Sequence, residues 1–366
     1  MTPTRMHAIM SGEDRSLRAR FTRLMLSCLS LGYRIVIAVR NVMFDCGLRK
    51  PKKLARPVIS VGNITTGGTG KTPLVMELAR RLLAMGHRPG ILTRGYRGGD
   101  AKDGDAKTSD EVELFRAAFG DAVPVAVNPD RAAGAAALLE KHADISVFLL
   151  DDGFQRRQVF RDLNLVLIDA TQPFGYGWLL PRGLLREPLK NLRRADAIVL
   201  TRCNEVDVAA LDAVIARLGQ WSSLEPVRCA QHWSGFKQAD ESIAGANHLR
   251  EQRIFAFTGI GNPAAFEHML HRHVGHVGHV AGVRDFPDHH AFSVSDVAAL
   301  IEQAKACDAQ AMVTTEKDWT KVGPMVKAQA TAMSLPIYRP VLEIVFSDEA
   351  QWHVMEQKIR DCFNDL

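Results

Sequence analysis

Residues 58–73 read Val-Ile-Ser-Val-Gly-Asn-Ile-Thr-Thr-Gly-Gly-Thr-Gly-Lys-Thr-Pro. The apolar run Val58–Val61 predicts a buried strand, Gly62–Gly70 a glycine-rich turn, and Lys71-Thr72-Pro73 the first turn of a helix. A strand, such a turn and a helix N-terminus together gather backbone N–H groups at one point, where the helix dipole favours an anion. The expected ligand is a chain of phosphates. Lys71 would neutralise the outer phosphates and the Thr72 hydroxyl would serve Mg²⁺. The turn departs from G-x-x-x-x-G-K-[ST] at Thr65, which stands where the first glycine is expected. Gly67 and Gly68 then supply the close backbone approach. The phosphate contacts are expected from Thr65, Thr66, Gly67, Gly68, Thr69, Gly70, Lys71 and Thr72.

Working outward, strand-like and helix-like segments alternate. A helix is expected from about Thr72 to Met85, a strand at Gly90–Thr93, a helix opening at Ser109-Asp110-Glu111, a short strand at Val123–Val127 and a helix over Asp130–His142. Further buried strands are expected at Ile145–Leu150, Leu163–Ile168 and Ala197–Leu200. The pattern predicts an α/β fold, a P-loop NTPase-like, mostly parallel sheet with helices on both faces. Ser234–Gln252 is polar and irregular and reads as a linker. Beyond it the pattern resumes, which implies a smaller C-terminal α/β lobe. The expected organisation is a mobile extension over 1–20, a basic amphipathic helix and linker over 21–56, a P-loop core over 57–235, a linker over 236–252 and the lobe over 253–366.

The composition is ordinary for a globular protein, with 46% hydrophobic and 24% charged residues among 366. The charge is uneven. Residues 1–57 hold twelve Lys and Arg against three acids, a net +9, so the rest of the chain carries −4 of the overall +5. A mildly acidic body with a basic N-terminal segment excludes a generally basic nucleic-acid binder, and no nucleic acid is expected as a partner. The six cysteines are scattered and form no C-x-x-C, which suggests neither a disulfide framework nor a zinc site.

In the N-terminal segment, residues 24–33 are uncharged, too few to span a bilayer, which takes roughly 20. At helical spacing Arg20, Arg23, Ser27, Ser30, Arg34, Asn41 and Asp45 fall near one face, and apolar residues cover the rest, with Arg40 the exception. A wide apolar surface with a narrow basic stripe suits a helix lying in a membrane interface, with the stripe and Arg49–Arg56 toward anionic headgroups. A helix packed on the protein's own core is the competing reading.

Val147–Asp152 has the form of a Walker B element, an apolar strand delivering Asp151 and Asp152 beside the P-loop to hold Mg²⁺. Phosphoryl transfer to a hydroxyl also needs a base near the strand C-termini. Asp110, Glu111 and His289 qualify by position. Seven of the thirteen histidines fall within residues 268–290. They lack zinc spacing and are expected on a solvated strand or loop.

Taken together these stretches resemble the tetraacyldisaccharide 4′-kinase family of lipid A synthesis, from about Leu31 to about Val345. The resemblance is carried by Arg40-Asn41 through Leu48, Pro57–Asn63, the P-loop Thr65–Pro73, and Thr93-Arg94-Gly95-Tyr96-Arg97-Gly98. It continues through Asp151-Asp152-Gly153-Phe154-Gln155, Leu180–Pro188, Phe286-Pro287-Asp288-His289 and Thr315-Glu316-Lys317-Asp318. Thr65 is usual there. The resemblance implies ATP- and Mg²⁺-dependent phosphorylation of the 4′-hydroxyl of a lipid disaccharide 1-phosphate at the cytoplasmic face of the inner membrane. The partners it implies are the lipid and the membrane surface, with no obligatory protein partner.

By matching position, Asp110 is the acid of the family's Gly-Asp-Glu-Pro motif, paired with His289, so Asp110, His289 and Lys71 are the expected catalytic residues. Glu111, Asp152 and Glu187 join Thr72 and Asp151 as candidates near Mg²⁺. Arg94, Tyr96 and Arg186 are candidates for the substrate's sugar and phosphate. Where the family reads Gly-Asp-Glu-Pro this chain reads Ser109-Asp110-Glu111-Val112, and an aromatic found in relatives after the Asp-His is His290 here. Two alternatives keep the same sheet. A GTPase or ParA-like switch would need an Asn-Lys-x-Asp base reader, which Thr201-Arg202-Cys203-Asn204 does not provide. A soluble small-molecule kinase would not need the N-terminal helix.

Overall fold

The computed structural model describes residues 3–95, 110–261, 263–274, 279–288, 290–328 and 335–364. The helices are α1 (Pro3–Ser11), α2 (Leu17–Asp45), α3 (Lys71–Ala84), α4 (Asp110–Phe119), α5 (Arg131–Lys141), α6 (Val208–Leu218), α7 (Pro263–Val274), α8 (Val294–Ala306), α9 (Glu316–Ala328) and α10 (Glu349–Asn364). The strands are β1 (Val58–Asn63), β2 (Pro89–Thr93), β3 (Val125–Val127), β4 (Val147–Asp151), β5 (Leu163–Asp169), β6 (Ala197–Thr201), β7 (Val227–Lys237), β8 (Ile243–Gly245), β9 (Arg253–Thr258), β10 (His279–Asp285), β11 (Ala311–Val313) and β12 (Ile337–Phe346). Residues 1–94, 121–230 and 345–366 form one compact unit, and residues 95–120 and 231–344 a second.

In the first unit the strand order is β6-β5-β1-β4-β2-β3, all parallel. Every residue of β1, β4 and β5 is buried, as both-face coverage of a parallel sheet requires. Ile198 and Leu200 of β6 pack with Leu211, Val214 and Leu218 of α6, while Phe148 and Leu150 of β4 pack with Ala135 and Leu138 of α5. In register, Val61 lies opposite Asp151, the last residue of β4, and β1 continues to Asn63, so Asp152 falls at the C-terminal edge of the sheet. That edge is where open parallel sheets bind ligands.

The second unit orders its strands β10-β9-β11-β12-β7, with β8 antiparallel to β7. Alternate residues of β9 separate two cores. Ile254 and Ala256 join Phe266, Met269 and Leu270 of α7, and Phe255 and Phe257 join Val297, Leu300, Trp319 and Val322 of α8 and α9. Helices therefore cover both faces here.

Several sequence expectations differ from this picture. The extension over 1–20 contains α1 and the start of α2, and it is docked. Ile9 is buried, His7 Nδ1 lies 2.9 Å from the Tyr176 hydroxyl, and Arg182 donates to the Met10 carbonyl at 2.7 Å. A nine-residue helix is too short to declare itself by periodicity. The linker over 236–252 contains the end of β7 and all of β8. β7 alternates buried and more exposed residues, and its last two, Phe236 and Lys237, fall in the expected linker. The C-terminal residues 345–366 group with the first unit: Trp352, Met355 and Ile359 of α10 are buried, and the Arg81 guanidinium sits 3.8 Å over the Trp352 ring. Of the clustered histidines, His268, His271 and His273 lie on α7 and His279 opens β10, whereas His276 and His289 fall outside the described residues.

The largest difference concerns α2. It runs 29 residues, about 43 Å, and by length and composition it is apolar enough to cross a membrane, beyond what the uncharged stretch alone suggested. Part of its polar stripe faces the protein, while Arg20 and Arg34 are exposed. Ser30 and Asn41 are buried, Ser30 donates to the Leu179 carbonyl at 3.0 Å and Tyr33 to the Arg186 carbonyl at 2.9 Å. Arg157 donates to the Asn41 carbonyl and to Asp45. Phe21, Leu24, Leu29, Leu31, Ile35, Val36, Val39 and Val42 are exposed. Periodicity reveals a stripe but not which side of it the protein takes.

Candidate active site

The turn between β1 and α3 is built from two left-handed glycines, Gly67 at φ +107° and Gly70 at φ +84°, the latter at the N-cap of α3. No L side chain takes these angles without strain. Asn63 donates to the Thr69 hydroxyl at 3.0 Å, and Thr66 N donates to the Leu184 carbonyl at 2.7 Å. Thr201 at the end of β6 donates to the Thr69 carbonyl at 3.0 Å, and Arg202 to the Gly68 carbonyl at 2.8 Å, while a second nitrogen of Arg202 pairs with Asp169. Two loop carbonyls are thus tied back to the sheet. The Thr201-Arg202 pair, considered in the sequence only as a failed base reader, braces the P-loop instead.

Asp151 ends β4 and Asp152 follows it. Thr93 at the end of β2 donates to Asp151 at 3.4 Å. Asp152 has φ +50°, a left-handed backbone that costs an L residue about 1–2 kcal/mol and that Asp tolerates better than most. Its neighbours fix that turn. A Cβ on Gly62 would collide with the Phe154 backbone, and one on Gly153 with Ser60 and Leu150, so the chain after β4 crosses β1 at hydrogen-atom clearance.

Asp152 receives both of its oxygens' contacts from Arg186 Nη1, at 2.8 and 2.9 Å, and its Oδ1 lies 3.7 Å from Lys71 Nζ. Burial works against the Asp152 carboxylate, but Lys71 and Arg186 together outweigh it and hold the group below the usual carboxylate range. Burial pushes the Lys71 ammonium down from its ordinary value, with Asp152 opposing the shift. Arg131 and Arg156, which the sequence reading did not select, feel the same acid. Burial first and Arg156 second bring Arg131 to about 10, so it stays cationic at neutral pH. Gln155, in the same Asp-Asp-Gly-Phe-Gln stretch, donates to the Asn63 carbonyl at 2.8 Å and ties β4's exit to the P-loop.

Glu187 does not stand among the metal candidates. It is 0% exposed, and its oxygens are taken by Arg40 at 2.5 Å, Asn191 at 2.6 Å, Asn41 at 3.5 Å and Arg194. Arg40, the apparent misfit on α2, is the partner that a buried carboxylate needs.

In the second unit Asp110 opens α4, which packs against α9. Asp110 Oδ2 lies 2.8 Å from Lys321 Nζ and 3.6 Å from Lys317 Nζ, and Lys317 also reaches Asp288 Oδ1 at 2.9 Å. The N-terminus of α9 is pinned by Asp318, which is buried and accepts from Thr258, Gly259 N and Thr315. Neither lysine was selected from the sequence. Their i, i+4 spacing, with Lys317 inside the Thr-Glu-Lys-Asp stretch, was the available signal. Glu111 is half-buried one residue after Asp110, and Arg94 is exposed one residue past β2. Tyr96 and His289 lie outside the described residues.

A family model described as tetraacyldisaccharide-1-P 4′-kinase matches residues 22–360. The chain belongs to that family. It is 36% identical over 340 residues to the tetraacyldisaccharide 4′-kinase of Geobacter metallireducens, covering 90% of this chain and 96% of the relative. It is 38% identical over 337 residues to the one from Syntrophus aciditrophicus, covering 86% and 88%. Among solved structures it is similar to LpxK from Aquifex aeolicus in complex with ATP, with a TM-score of 0.68, 30% identity, and 93% and 99% of the two chains covered.

In this member of the 4′-kinase family the donor set suits Mg²⁺. The Thr72 hydroxyl near the start of α3 and the Asp151 and Asp152 carboxylates at the end of β4 would offer the hard oxygen atoms that this ion takes. Among the described residues no group of three or more His, Cys, Asp or Glu side chains could by itself hold a metal.

Proposed function

We propose that this protein transfers the γ-phosphoryl group of ATP to the 4′-hydroxyl of a tetraacylated glucosamine disaccharide 1-phosphate, giving the 4′-phosphorylated lipid A precursor and ADP. The family match across residues 22–360 carries the reading, and the P-loop with Asp152 beside Lys71 agrees with it.

Thr65–Thr72 bind the nucleotide phosphates through backbone N–H groups, and Lys71 follows the charge that shifts to the β-phosphate as the γ bond breaks. Thr72, Asp151 and Asp152 would hold Mg²⁺, which would offset phosphate charge. Arg186 contributes positive charge toward the transferring group, and Arg94 and Tyr96 contact sugar or phosphate. Asp110 accepts the 4′-hydroxyl proton as the new P–O bond forms, with His289 orienting it. Lys317 and Lys321 hold the Asp110 carboxylate in place. Glu111 is a further acid for Mg²⁺ or its waters.

The outward apolar face of α2, with Arg49, Lys50, Lys52 and Lys53 exposed beyond its end, supports peripheral attachment to the cytoplasmic face of the inner membrane, where such a substrate resides. Ser30, Tyr33, Arg40 and Asn41 of α2 are already engaged by the protein, which favours lying in the interface over spanning.

The deciding experiment incubates the purified protein with Mg-ATP and the tetraacyl disaccharide 1-phosphate in detergent and follows gain of one phosphoryl group by mass spectrometry. Absence of product while nucleotide binds would remove the reading. Nucleotide hydrolysis undiminished without lipid would favour a switch ATPase.

A further inference from the structure

The inner face of α2 touches a short segment that also touches the P-loop. Residues Leu184–Glu187 run beside Ile64–Thr66. Thr66 N donates to the Leu184 carbonyl at 2.7 Å, Thr65 and Leu185 form an antiparallel bridge, and Arg186 N donates to the Ile64 carbonyl at 2.8 Å. The first half of the phosphate loop is therefore half of a two-stranded ribbon. From the same segment, Arg186 reaches forward to Asp152.

The opposite side of that segment is held by α2. Tyr33 donates to the Arg186 carbonyl at 2.9 Å, and Ser30 to the Leu179 carbonyl at 3.0 Å. Arg40 and Asn41 reach the Glu187 carboxylate at 2.5 and 3.5 Å, and Asn191 and Arg194 complete its shell. These bonds join residues about 150 positions apart. A helix needed only as an anchor would not require a fully buried acid as its seat, because an acid placed there must be matched by partners.

We infer that Tyr33, Arg40 and Asn41 are positioning residues for the nucleotide site: α2 seats the Leu184–Glu187 segment, and that segment sets the phosphate loop and the Arg186–Asp152 pair. The nucleotide thus binds a site whose outer support is the same helix that offers its apolar side to the solvent. For its activity arm the inference rests on the kinase reading; for its binding arm it requires only that the P-loop hold ATP.

The test uses the full-length protein and measures the dissociation constant for Mg-ATP without lipid, then kcat and the KM for ATP with lipid substrate. Tyr33→Phe removes one hydrogen bond and keeps the ring. It is expected to weaken ATP binding by about three- to tenfold, the size of one lost hydrogen bond, with no more than a small change in melting temperature. Arg40→Met is expected to weaken it further, and Arg40→Lys to recover part of the loss.

A purely structural role would lower the melting temperature and leave ATP affinity of the folded protein unchanged, and that result would overturn the inference. If Arg40→Met fails to fold, Tyr33→Phe alone decides: wild-type affinity and KM for ATP would refute the positioning role. A shifted ATP dissociation constant in a protein that phosphorylates no lipid would uphold the inference and sink the kinase reading.

Discussion

Replacing Leu24, Leu31 and Ile35 by Ser should detach the protein from membranes without unfolding it. The three share one outward face of α2 at 100° per residue and are 60%, 59% and 58% exposed. Full burial of such a side chain is worth about 1.5–3 kcal/mol, so the exposed part still has about 1–2 kcal/mol each to gain. Complete immersion of all three would contribute about 3–5 kcal/mol. An interfacial helix buries roughly half of that, leaving about 2 kcal/mol, or about a thirtyfold weaker partition coefficient. The assay is co-sedimentation with anionic vesicles at fixed ionic strength, with helix content checked by circular dichroism. Because these side chains point away from the protein, the melting temperature should change little. A partition coefficient within twofold of wild type in a folded triple variant would refute the idea that this face enters the bilayer. A collapse in melting temperature would show instead that the face is covered by protein.

Three other outcomes are expected. Asp152 is held below the usual carboxylate range by Lys71 and Arg186, so its ionised form stabilises the fold above the unfolded-state value of about 3.9, and that contribution is lost as pH falls through the lower native value. The stability of wild type relative to Asp152→Asn should hold constant above about pH 5 and decline in acid, and a relative gain in acid would contradict the assignment. Asp110→Asn should lower kcat by about 10²–10⁴ with ATP affinity unchanged, as for loss of a general base, and Lys321→Met should lower kcat by a smaller factor; a change confined to the KM for ATP would place these residues elsewhere in the cycle.

The parts legible in the sequence were those written locally. The P-loop, the apolar strand ending in Asp151-Asp152 and the alternation of strands with helices each fit within a short window, and all stand where their patterns put them. What was not legible depended on partners far along the chain. Glu187 sits beside Arg186 in a motif-like stretch and looked like a metal ligand; Asn191 and Arg194 nearby, with Arg40 and Asn41 about 150 residues earlier, show that it is a buried anchor. Arg40 looked like a charge on the wrong side of α2 for the same reason. The end of β7 and the three-residue β8 lay inside a polar stretch, where so short a strand and a linker have similar composition. Lys317 and Lys321 gain meaning only once α4 brings Asp110 to them.

The arrangement of α2 also bears on how the reaction would be measured. A helix that offers a bilayer a broad apolar side, with part of its polar side engaged by its own protein, would attach reversibly and at the surface. A catalyst held in this way searches for substrate in two dimensions. Its rate then follows the mole fraction of lipid substrate in the vesicle or micelle, and adding inert lipid or detergent at constant substrate slows it by dilution within the surface. Apparent constants expressed per litre would therefore describe the preparation as much as the enzyme.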